Sequence, residues 1–174
     1  ENKVDYLRSL GVTAIWMTPI PLNVGGSAYH GYGSKDFYKL APHLGTLTDL
    51  SNMVSACHSR GIKVVLDVVV NHSGNIIDSG DSGYPNFSTT GYNLRYRSAS
   101  EQHAPPFNIT NASPQAFTSI FHNNGVIQDF NSLDQVERGE LSNLDDFNTQ
   151  LDYVRTNMAN IYKSWIQTGD LDGF

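Results

Sequence analysis

The run Val64–His72, Val-Val-Leu-Asp-Val-Val-Val-Asn-His, constrains the fold of this chain more than any other stretch. A continuous β-branched run predicts a strand that is buried on both faces, as in a parallel sheet. Asp67 interrupts the run, and we expect it to have a partner because an unpaired buried carboxylate is very costly. Asn71 and His72 follow where the strand emerges. In a parallel α/β barrel this end of the strands carries the chemistry. A core strand with an incidental polar end is the alternative.

Three segments of the chain repeat the order helix, glycine, strand. Each has apolar residues at helical spacing, a glycine where a left-handed C-cap is favoured, and then an apolar run. They are Val4–Leu10 with Gly11 and Thr13–Met17, residues 49–60 with Gly61 and Lys63–Val70, and Leu151–Trp165 with Gly169 and Leu171–Phe174. We expect Thr48 to cap the second helix. The repeat predicts a parallel sheet with short αβ loops. A doubly wound open sheet would alternate in the same way, but no Gly-x-Gly-x-x-Gly motif supports it.

The long connections lie on the other side of this sheet. Residues 20–47 join the first strand to the second helix, and residues 73–150 join the second strand to the third helix. The second connection is too long for a plain loop, and it is rich in Asn, Ser, Gly, Pro and aromatic residues. We predict that it is an inserted subdomain of irregular and short β structure. The predicted division is therefore 1–72 for barrel, 73–150 for the insertion and 151–174 for barrel again.

Composition limits the possible classes of protein. The chain has 174 residues and a net charge of −6, so it can form one domain, although a complete (β/α)8 barrel needs about 200 residues or more. The acidic balance argues against a nucleic-acid partner, and no apolar stretch is long enough for a membrane span. The single Cys57 excludes an internal disulfide. The polar composition is common in secreted polysaccharide-handling proteins, so we expect an extracellular protein, although the start at Glu1 carries no signal peptide.

Several separate segments match one known pattern in the same order. They are Gly11–Pro19, Ala28-Tyr-His-Gly-Tyr32 followed by Asp36-Phe-Tyr, Leu44-Gly-Thr, Asp67–His72, Phe121-His-Asn-Asn, Leu141-Ser-Asn-Leu-Asp145 and Thr168–Phe174. Together they resemble the α-amylase superfamily of retaining glycoside hydrolases, which includes α-amylases, maltogenic amylases and cyclodextrin glucanotransferases. The resemblance implies part of a (β/α)8 TIM barrel, an α/β fold, from about the second strand to the start of the fourth, with an irregular domain B inserted.

The resemblance also implies an enzymatic activity for the parent protein. Members hydrolyse or transfer α-1,4-glucosidic bonds in starch-like glucans by double displacement, which needs two carboxyl groups about 5–5.5 Å apart. The family nucleophile is the Asp of an Arg-x-Asp continuation, expected at the third residue after Phe174. We therefore assign no catalytic carboxylate within the chain, and we expect both of its ends to be cut from something longer.

The resemblance places part of the substrate site within the chain. Tyr32 matches the family tyrosine that stacks on the glucosyl unit, and a flat ring suits the C–H face of glucose. His72 matches the histidine that hydrogen-bonds the same unit. His30 is predicted either to line the site or to stabilise the loop. Asp67 is expected to be a buried partner of the arginine in the Arg-x-Asp motif and so to support the site.

A calcium site is the implied cofactor site. The family shares one Ca²⁺ between an asparagine at the position of Asn71 and an aspartate in domain B, and Asn143 takes the place of that aspartate. The carbonyl oxygen is kept but one negative charge is lost, so we predict weaker Ca²⁺ binding. Asp145 and Asp146 are close enough to compensate as ligands, but the preferred interpretation is an exposed charge pair. The other histidines lack metal-binding spacing and are given no role; they are His43, His58, His103 and His122.

Two alternatives to an enzyme remain open at this point. One is a non-catalytic relative that binds carbohydrate or has a structural role on the same fold. Tyr32 and His72 argue against it, since such a relative has little reason to keep sugar contacts. The other is that the chain as written is an inert truncated fragment. An aspartate at the third residue after Phe174 would distinguish the enzyme from the first alternative.

Overall fold

The structure is a computed structural model that describes residues 3–25, 29–79, 85–110 and 113–174. Ala28 of the Ala28–Tyr32 motif lies outside these ranges. In this part of the chain no helix is both long and apolar enough to cross a membrane. The elements are α1 (Val4–Ser9), β1 (Ala14–Met17), β2 (Pro21–Asn23), β3 (Ser34–Leu40), a 3-10 turn (Pro42–Leu44), α2 (Leu47–His58), β4 (Lys63–Leu66), β5 (Ile77–Ser79), β6 (Leu94–Tyr96), α3 (Pro114–Thr118), α4 (Leu133–Arg138) and α5 (Asp152–Gly169).

A parallel arrangement of three segments forms the centre of the fold. β1 pairs with β4 in parallel from Ala14 opposite Lys63 to Met17 opposite Leu66. On the other side of β4, Val65 pairs in parallel with Gly173. The predicted parallel order of the three helix, glycine, strand units is therefore confirmed. β4 lies in the middle because both neighbours bond to it.

Three predicted element boundaries are wrong. α2 begins at Leu47 and is capped by Thr46 instead of Thr48, because Asp49 completes a capping box with Thr46. α5 runs through Gly169, and the left-handed C-cap residue is Asp170, with a φ of 54°. β4 ends at Leu66 instead of Val70, because β1 ends at Met17 and its carbonyl accepts the last ladder bond from the N–H of Asp67 at 2.8 Å.

The core lies between the parallel strands and the helices α2 and α5. Fully buried members come from the second and third units, and they are Val54, Cys57, Ile62, Val64, Leu66, Val154 and Ile161. Val65 within β4 and residues 68–70 after it are half-buried or exposed, so the prediction of a strand buried on both faces is wrong. The indole N–H of Trp165 on α5 donates to the Phe37 carbonyl at 2.8 Å, which fixes β3 to this core.

The segment 73–150, which we call the inserted segment, contains short elements joined by isolated pairings. β5 and β6 form an antiparallel pair, and bridges join Val126 to Asn86 and to Glu140. This agrees with the predicted irregular and short β structure. Four phenylalanine rings attach the segment to β3, with centroid distances of 4.6 Å (Phe107 to Phe147), 4.9 Å (Phe121 to Phe147) and 5.9 Å (Phe37 to Phe147). The exact limits of the three predicted regions stay a prediction.

Candidate functional site

The loop between β2 and β3 brings Tyr32 to the end of β1. Gly31, directly before it, has a φ of 96°, and a Cβ atom added there would lie 2.4 Å from the carbonyl oxygen of Pro19. Only glycine allows this close approach without displacement of the backbone. The turn at Gly31 therefore determines where the Tyr32 ring lies.

Three of the predicted site residues hold Tyr32 at three different groups. Its hydroxyl donates to Asp67 Oδ2 at 2.8 Å, and its backbone N–H donates to His30 Nδ1 at 3.0 Å. Its carbonyl oxygen lies 3.2 Å from His72 Nε2. The rings of His30 and Tyr32 are also stacked, with centroids 5.7 Å apart. All four residues predicted for the substrate side of the site thus lie together, with the Tyr32 ring partly exposed.

The hydrogen bonds of His72 define its tautomer. Nε2 donates to the Tyr32 carbonyl, so Nδ1 carries no proton and accepts from Asn71 Nδ2 at 3.4 Å. Burial lowers the pKa of His72, which favours this neutral ring. Both ring nitrogens therefore have protein partners. The predicted contact of His72 with a sugar hydroxyl would share or replace the 3.2 Å contact with Tyr32.

Asp67 differs from the prediction in burial. Its residue is half-buried rather than fully buried, because β4 has already ended and the chain turns towards the loops. Its observed partner is the Tyr32 hydroxyl, which the sequence analysis did not predict. The hydrogen bond to Asp67 raises the pKa of Tyr32, so the phenol stays protonated and keeps donating. Asp67 thus supports the site through Tyr32, whereas the arginine contact stays a prediction.

Asn71, the predicted metal ligand, is hydrogen-bonded to a buried carboxylate. Its Nδ2 donates to Asp146 Oδ1 at 3.2 Å, and Asp146 Oδ2 lies 2.6 Å from His122 Nδ1. The expectation of an exposed Asp145–Asp146 pair is wrong, since their residues are only 3% and 2% exposed. The backbone of Asp146 forms an isolated antiparallel β-bridge with His72, and this pairing places both acidic residues in the interior. Burial raises the pKa of Asp146 to about 6.

Asp145 anchors the start of the inserted segment. Its Oδ2 accepts from the backbone N–H of Ile76 at 3.0 Å, and it also accepts from the N–H of Ile77. Ser73 Oγ lies 2.7 Å from His103 Nε2 and donates to Asp145 at 3.5 Å. Burial raises the pKa of Asp145 and lowers the pKa of His103 to about 3. These contacts hold Ser73 and the backbone of Ile76 and Ile77 to the buried Asp145 and His103 side chains.

The side chains around Asn71 and Asp146 carry the types of oxygen atom that bind calcium. Ca²⁺ prefers amide and carboxylate oxygens, and Asn71 and Asp146 carry one of each type, although here Asn71 turns its Nδ2 rather than its oxygen towards Asp146 Oδ1. Asp146, unlike Asn143, carries a carboxyl group, and it lies next to Asn71. Asn143 lines a neighbouring cleft together with His30. Within the described ranges, no group of three or more His, Cys, Asp or Glu side chains could hold a metal, so a site here depends on amide and backbone oxygens.

Sequence reasoning missed two histidines because it tested only metal-binding spacing. His122 pairs with Asp146 across 24 positions and also contacts Gln150 Oε1 at 2.7 Å. His103 pairs with Ser73 across 30 positions. The available signal for His122 was its place in the Phe121-His-Asn-Asn motif. No comparable local signal marks His103.

A polar cleft of about 650 Å³ adjoins the Tyr32 site. One wall comes from the β2–β3 hairpin, which contributes Gly25, His30 and Gly33. The other wall comes from the inserted segment, and its charged members are Asp78, Arg97 and Glu101. His30 belongs both to this cleft and to the contacts that hold Tyr32. The site and the cleft are therefore continuous.

Comparison with known proteins gives consistent matches over the chain. The family model described as the alpha amylase catalytic domain matches residues 1–174. The chain is 34% identical over 170 residues to a beta/alpha-amylase of Paenibacillus polymyxa, covering 95% of the chain and 12% of that protein. It is 34% identical over 176 residues to a cyclomaltodextrin glucanotransferase of Klebsiella oxytoca, covering 97% and 24%. The chain spans less than a third of the length of both relatives.

A solved structure shows the same fold. The crystal structure of an alpha-amylase from Geobacillus thermoleovorans, complexed with acarbose, superposes with a TM-score of 0.74 at 34% identity. The match covers 99% of this chain and 31% of that one. The predicted partial TIM barrel is thereby confirmed. With the family model matching over residues 1–174, the chain belongs to the α-amylase family and corresponds to part of its catalytic domain.

Proposed function

We propose that the parent protein hydrolyses or transfers α-1,4-glucosidic bonds of starch-like glucans with retention of configuration. The observation that carries the proposal is the joint placement of Tyr32, Asp67, His72 and His30, with the Tyr32 ring partly exposed. The relatives named alpha-amylase and cyclomaltodextrin glucanotransferase support a glucan substrate. We place the catalytic carboxylates outside the chain, with the nucleophile at the third residue after Phe174.

Within this function the chain binds and orients one glucosyl unit. The Tyr32 ring offers a flat apolar face to the C–H face of the sugar. Asp67, His30 and His72 hold the hydroxyl, N–H and carbonyl of the same tyrosine, which fixes the ring before substrate arrives. Such preorganisation lowers the entropy lost on binding. The neutral tautomer of His72 adds an N–H donor at the edge of the site.

We also propose that Asn71, Asp146 and Asn143 contribute to a Ca²⁺ site. Bound there, the ion would link the end of β4 to the inserted segment. Its test is the rise in melting temperature on adding Ca²⁺ to metal-free protein. We expect the rise in wild type and in Asn160→Ala, whose side chain lies on the exposed face of α5, and no rise in Asn71→Ala. An equal rise in all three proteins would exclude Asn71 as a ligand.

The activity is tested on the full-length gene product that carries these residues. We expect reducing ends to appear from soluble starch, with products released in the α configuration as seen by NMR. Tyr32→Ala should lower kcat/KM by about tenfold or more, since it removes the sugar platform. Tyr6→Ala, on exposed α1, is the matched control and should keep full activity.

The outcomes separate the possible functions. Products of β configuration would refute retention. Binding of maltooligosaccharides without turnover would favour the non-catalytic carbohydrate-binding relative. The absence of both binding and turnover would refute a glucan function. We further propose extracellular location, which is tested by following the protein in the medium and in the cells of its natural host.

A further inference from the structure

The segment 68–70 separates two residues of the site, Asp67 and His72. These two residues contact the hydroxyl and the carbonyl of Tyr32, at 2.8 Å and 3.2 Å. The segment itself lies outside any helix or strand, because β4 ends at Leu66. The relative position of Asp67 and His72 therefore depends on contacts that hold the segment 68–70 from elsewhere in the fold.

Tyr162 on α5 holds the middle of this segment by its backbone. The Tyr162 hydroxyl donates to the Val69 carbonyl at 2.7 Å, and the hydroxyl oxygen accepts from the Val69 N–H at 3.1 Å. One hydroxyl thus satisfies both backbone groups of a residue that has no strand partner for them. Tyr162 is 6% exposed, and burial raises its pKa to about 12, so the hydroxyl keeps its proton at neutral pH.

The alternative role for Tyr162 is packing in the core alone. Its ring does pack edge-on against Phe174, with a centroid distance of 5.6 Å. A phenylalanine would make the same ring contact without the cost of burying a hydroxyl. The hydroxyl of Tyr162 is therefore explained by its two bonds to Val69 and not by packing. Since Val69 lies between Asp67 and His72, these bonds act on the site.

We propose that Tyr162 is a positioning residue for glucan binding, which through the backbone of Val69 sets the separation of Asp67 and His72 and so the orientation of the Tyr32 ring. The proposal rests on the proposed function, because it concerns the same site. Tyr162 is buried in the core, so it acts on the substrate only through these other residues.

The first test removes the hydroxyl in the full-length protein. Tyr162→Phe keeps the ring and its contact with Phe174 but loses both bonds to Val69. We expect KM for maltoheptaose to rise by about tenfold, as for a small misplacement of binding groups, and kcat to change by less than about twofold.

Tyr96→Phe is the matched control, because Tyr96 makes the same pair of bonds in the inserted segment. The Tyr96 hydroxyl donates to the Ile109 carbonyl at 3.3 Å and accepts from the Ile109 N–H at 2.9 Å. Its loss leaves one N–H and one carbonyl unpaired in the same way as in Tyr162→Phe. Tyr96→Phe should leave both KM and kcat unchanged.

A double-mutant cycle with Tyr32→Phe separates positioning from general destabilisation. Without its hydroxyl, the Tyr32 side chain no longer bonds to Asp67, so part of the effect of Tyr162 can no longer reach the ring. Tyr162→Phe should therefore raise KM by a smaller factor in the Tyr32→Phe background than in wild type. The same factor in both backgrounds would overturn the proposal.

Hydrogen exchange at the Val69 amide reports the two bonds without any glucan. The exchange should be faster in Tyr162→Phe than in wild type and unchanged in Tyr96→Phe. All kinetic assays are run well below the melting temperature of the least stable variant. If Tyr162→Phe does not fold, Tyr162→Met repeats the test, since methionine fills irregular core space without a hydroxyl. Faster exchange at Val69 with an unchanged KM would show a structural role only and would overturn the proposal.

A binding measurement distinguishes failure of this inference from failure of the proposed function. Calorimetric titration with maltoheptaose reports the site without any need for turnover. If the protein binds maltoheptaose without cleaving it, and Tyr162→Phe weakens the binding less in the Tyr32→Phe background, the positioning role stands and the proposed catalysis fails. If the protein cleaves starch and Tyr162→Phe has the same KM as Tyr96→Phe, the catalysis stands and the positioning role fails.

Discussion

Replacing Phe147 by alanine should destabilise the protein strongly, because this ring is central in the aromatic cluster that joins the inserted segment to β3. Phe147 is 1% exposed and has the rings of Phe107, Phe121 and Phe37 within 5.9 Å. Truncation of a buried phenylalanine to alanine costs about 3–5 kcal/mol, from lost burial and from the cavity left behind. With a urea m-value of about 2 kcal/mol per molar, the unfolding midpoint should fall by about 1.5–2.5 M.

The matched control is Phe130→Ala, the same substitution in the same segment at a ring that is 66% exposed. It should change the free energy of unfolding by no more than about 0.5 kcal/mol. Phe147→Leu should fall between the two, because leucine refills part of the cavity. Urea denaturation of the three variants, followed by tryptophan fluorescence, gives the comparison. If Phe147→Ala shifts the midpoint no more than Phe130→Ala, the cluster does not hold the segment and the reasoning is refuted.

Three further predictions concern pH and the site. The hydrogen bond from Lys63 lowers the pKa of Asp172, so the ionised Asp172 stabilises the fold above its unfolded pKa of about 3.9. This contribution is lost as the pH falls through the folded pKa. In Asp172→Asn the melting temperature should therefore depend less on pH in the acid range. Burial raises the pKa of Glu140 to about 7, so wild type should lose stability as the pH rises from about 4.3 through that value. Melting curves of Glu140→Gln should show a smaller loss, because the pKa values of Asp145 and Asp146 are raised as well, and an identical profile would contradict the prediction. Tyr32→Phe removes the hydrogen bond to Asp67 and should raise KM for glucan several-fold with kcat less affected, whereas an unchanged KM would show that this bond does not orient the ring.

The parallel sheet could be predicted because its signals are local. Helical spacing of apolar residues, a glycine near the end of each helix and an apolar residue or run soon after each glycine all lie within a few residues of one another. Gly11 and Gly61 indeed have positive φ values of 81° and 68°. The Thr46 cap was also within reach, since Thr46 and Asp49 have the spacing of a capping box and Thr48 has no such partner. The end of β4 could not be predicted from the sequence, because it depends on where the neighbouring strand β1 ends.

The residues that form the site could be predicted from the sequence, whereas the hydrogen bonds between them could not. Tyr32 is 35 positions from Asp67 and 40 from His72, so their hydrogen bonds depend on how the β2–β3 loop folds over the strand ends. Asp145 and Asp146 were misjudged because adjacent acidic residues usually lie at the surface. Their burial comes from pairings made by the inserted segment, which no local pattern indicates. The burial of an ionisable pair thus requires the tertiary structure.

The contacts of Tyr32 also limit what each site residue can do alone. Its hydroxyl, N–H and carbonyl are each held by a different side chain, although the residue itself lies in a loop outside any helix or strand. His72 can therefore affect glucan binding in two ways, directly through its ring and indirectly through the Tyr32 backbone. Since Nε2 serves the Tyr32 carbonyl, a sugar hydroxyl that takes this donor weakens the hold on Tyr32 at the moment the ring is stacking. Binding and preorganisation are thus coupled in this loop, and Asp67 and His30 have to keep Tyr32 in place while His72 changes partner.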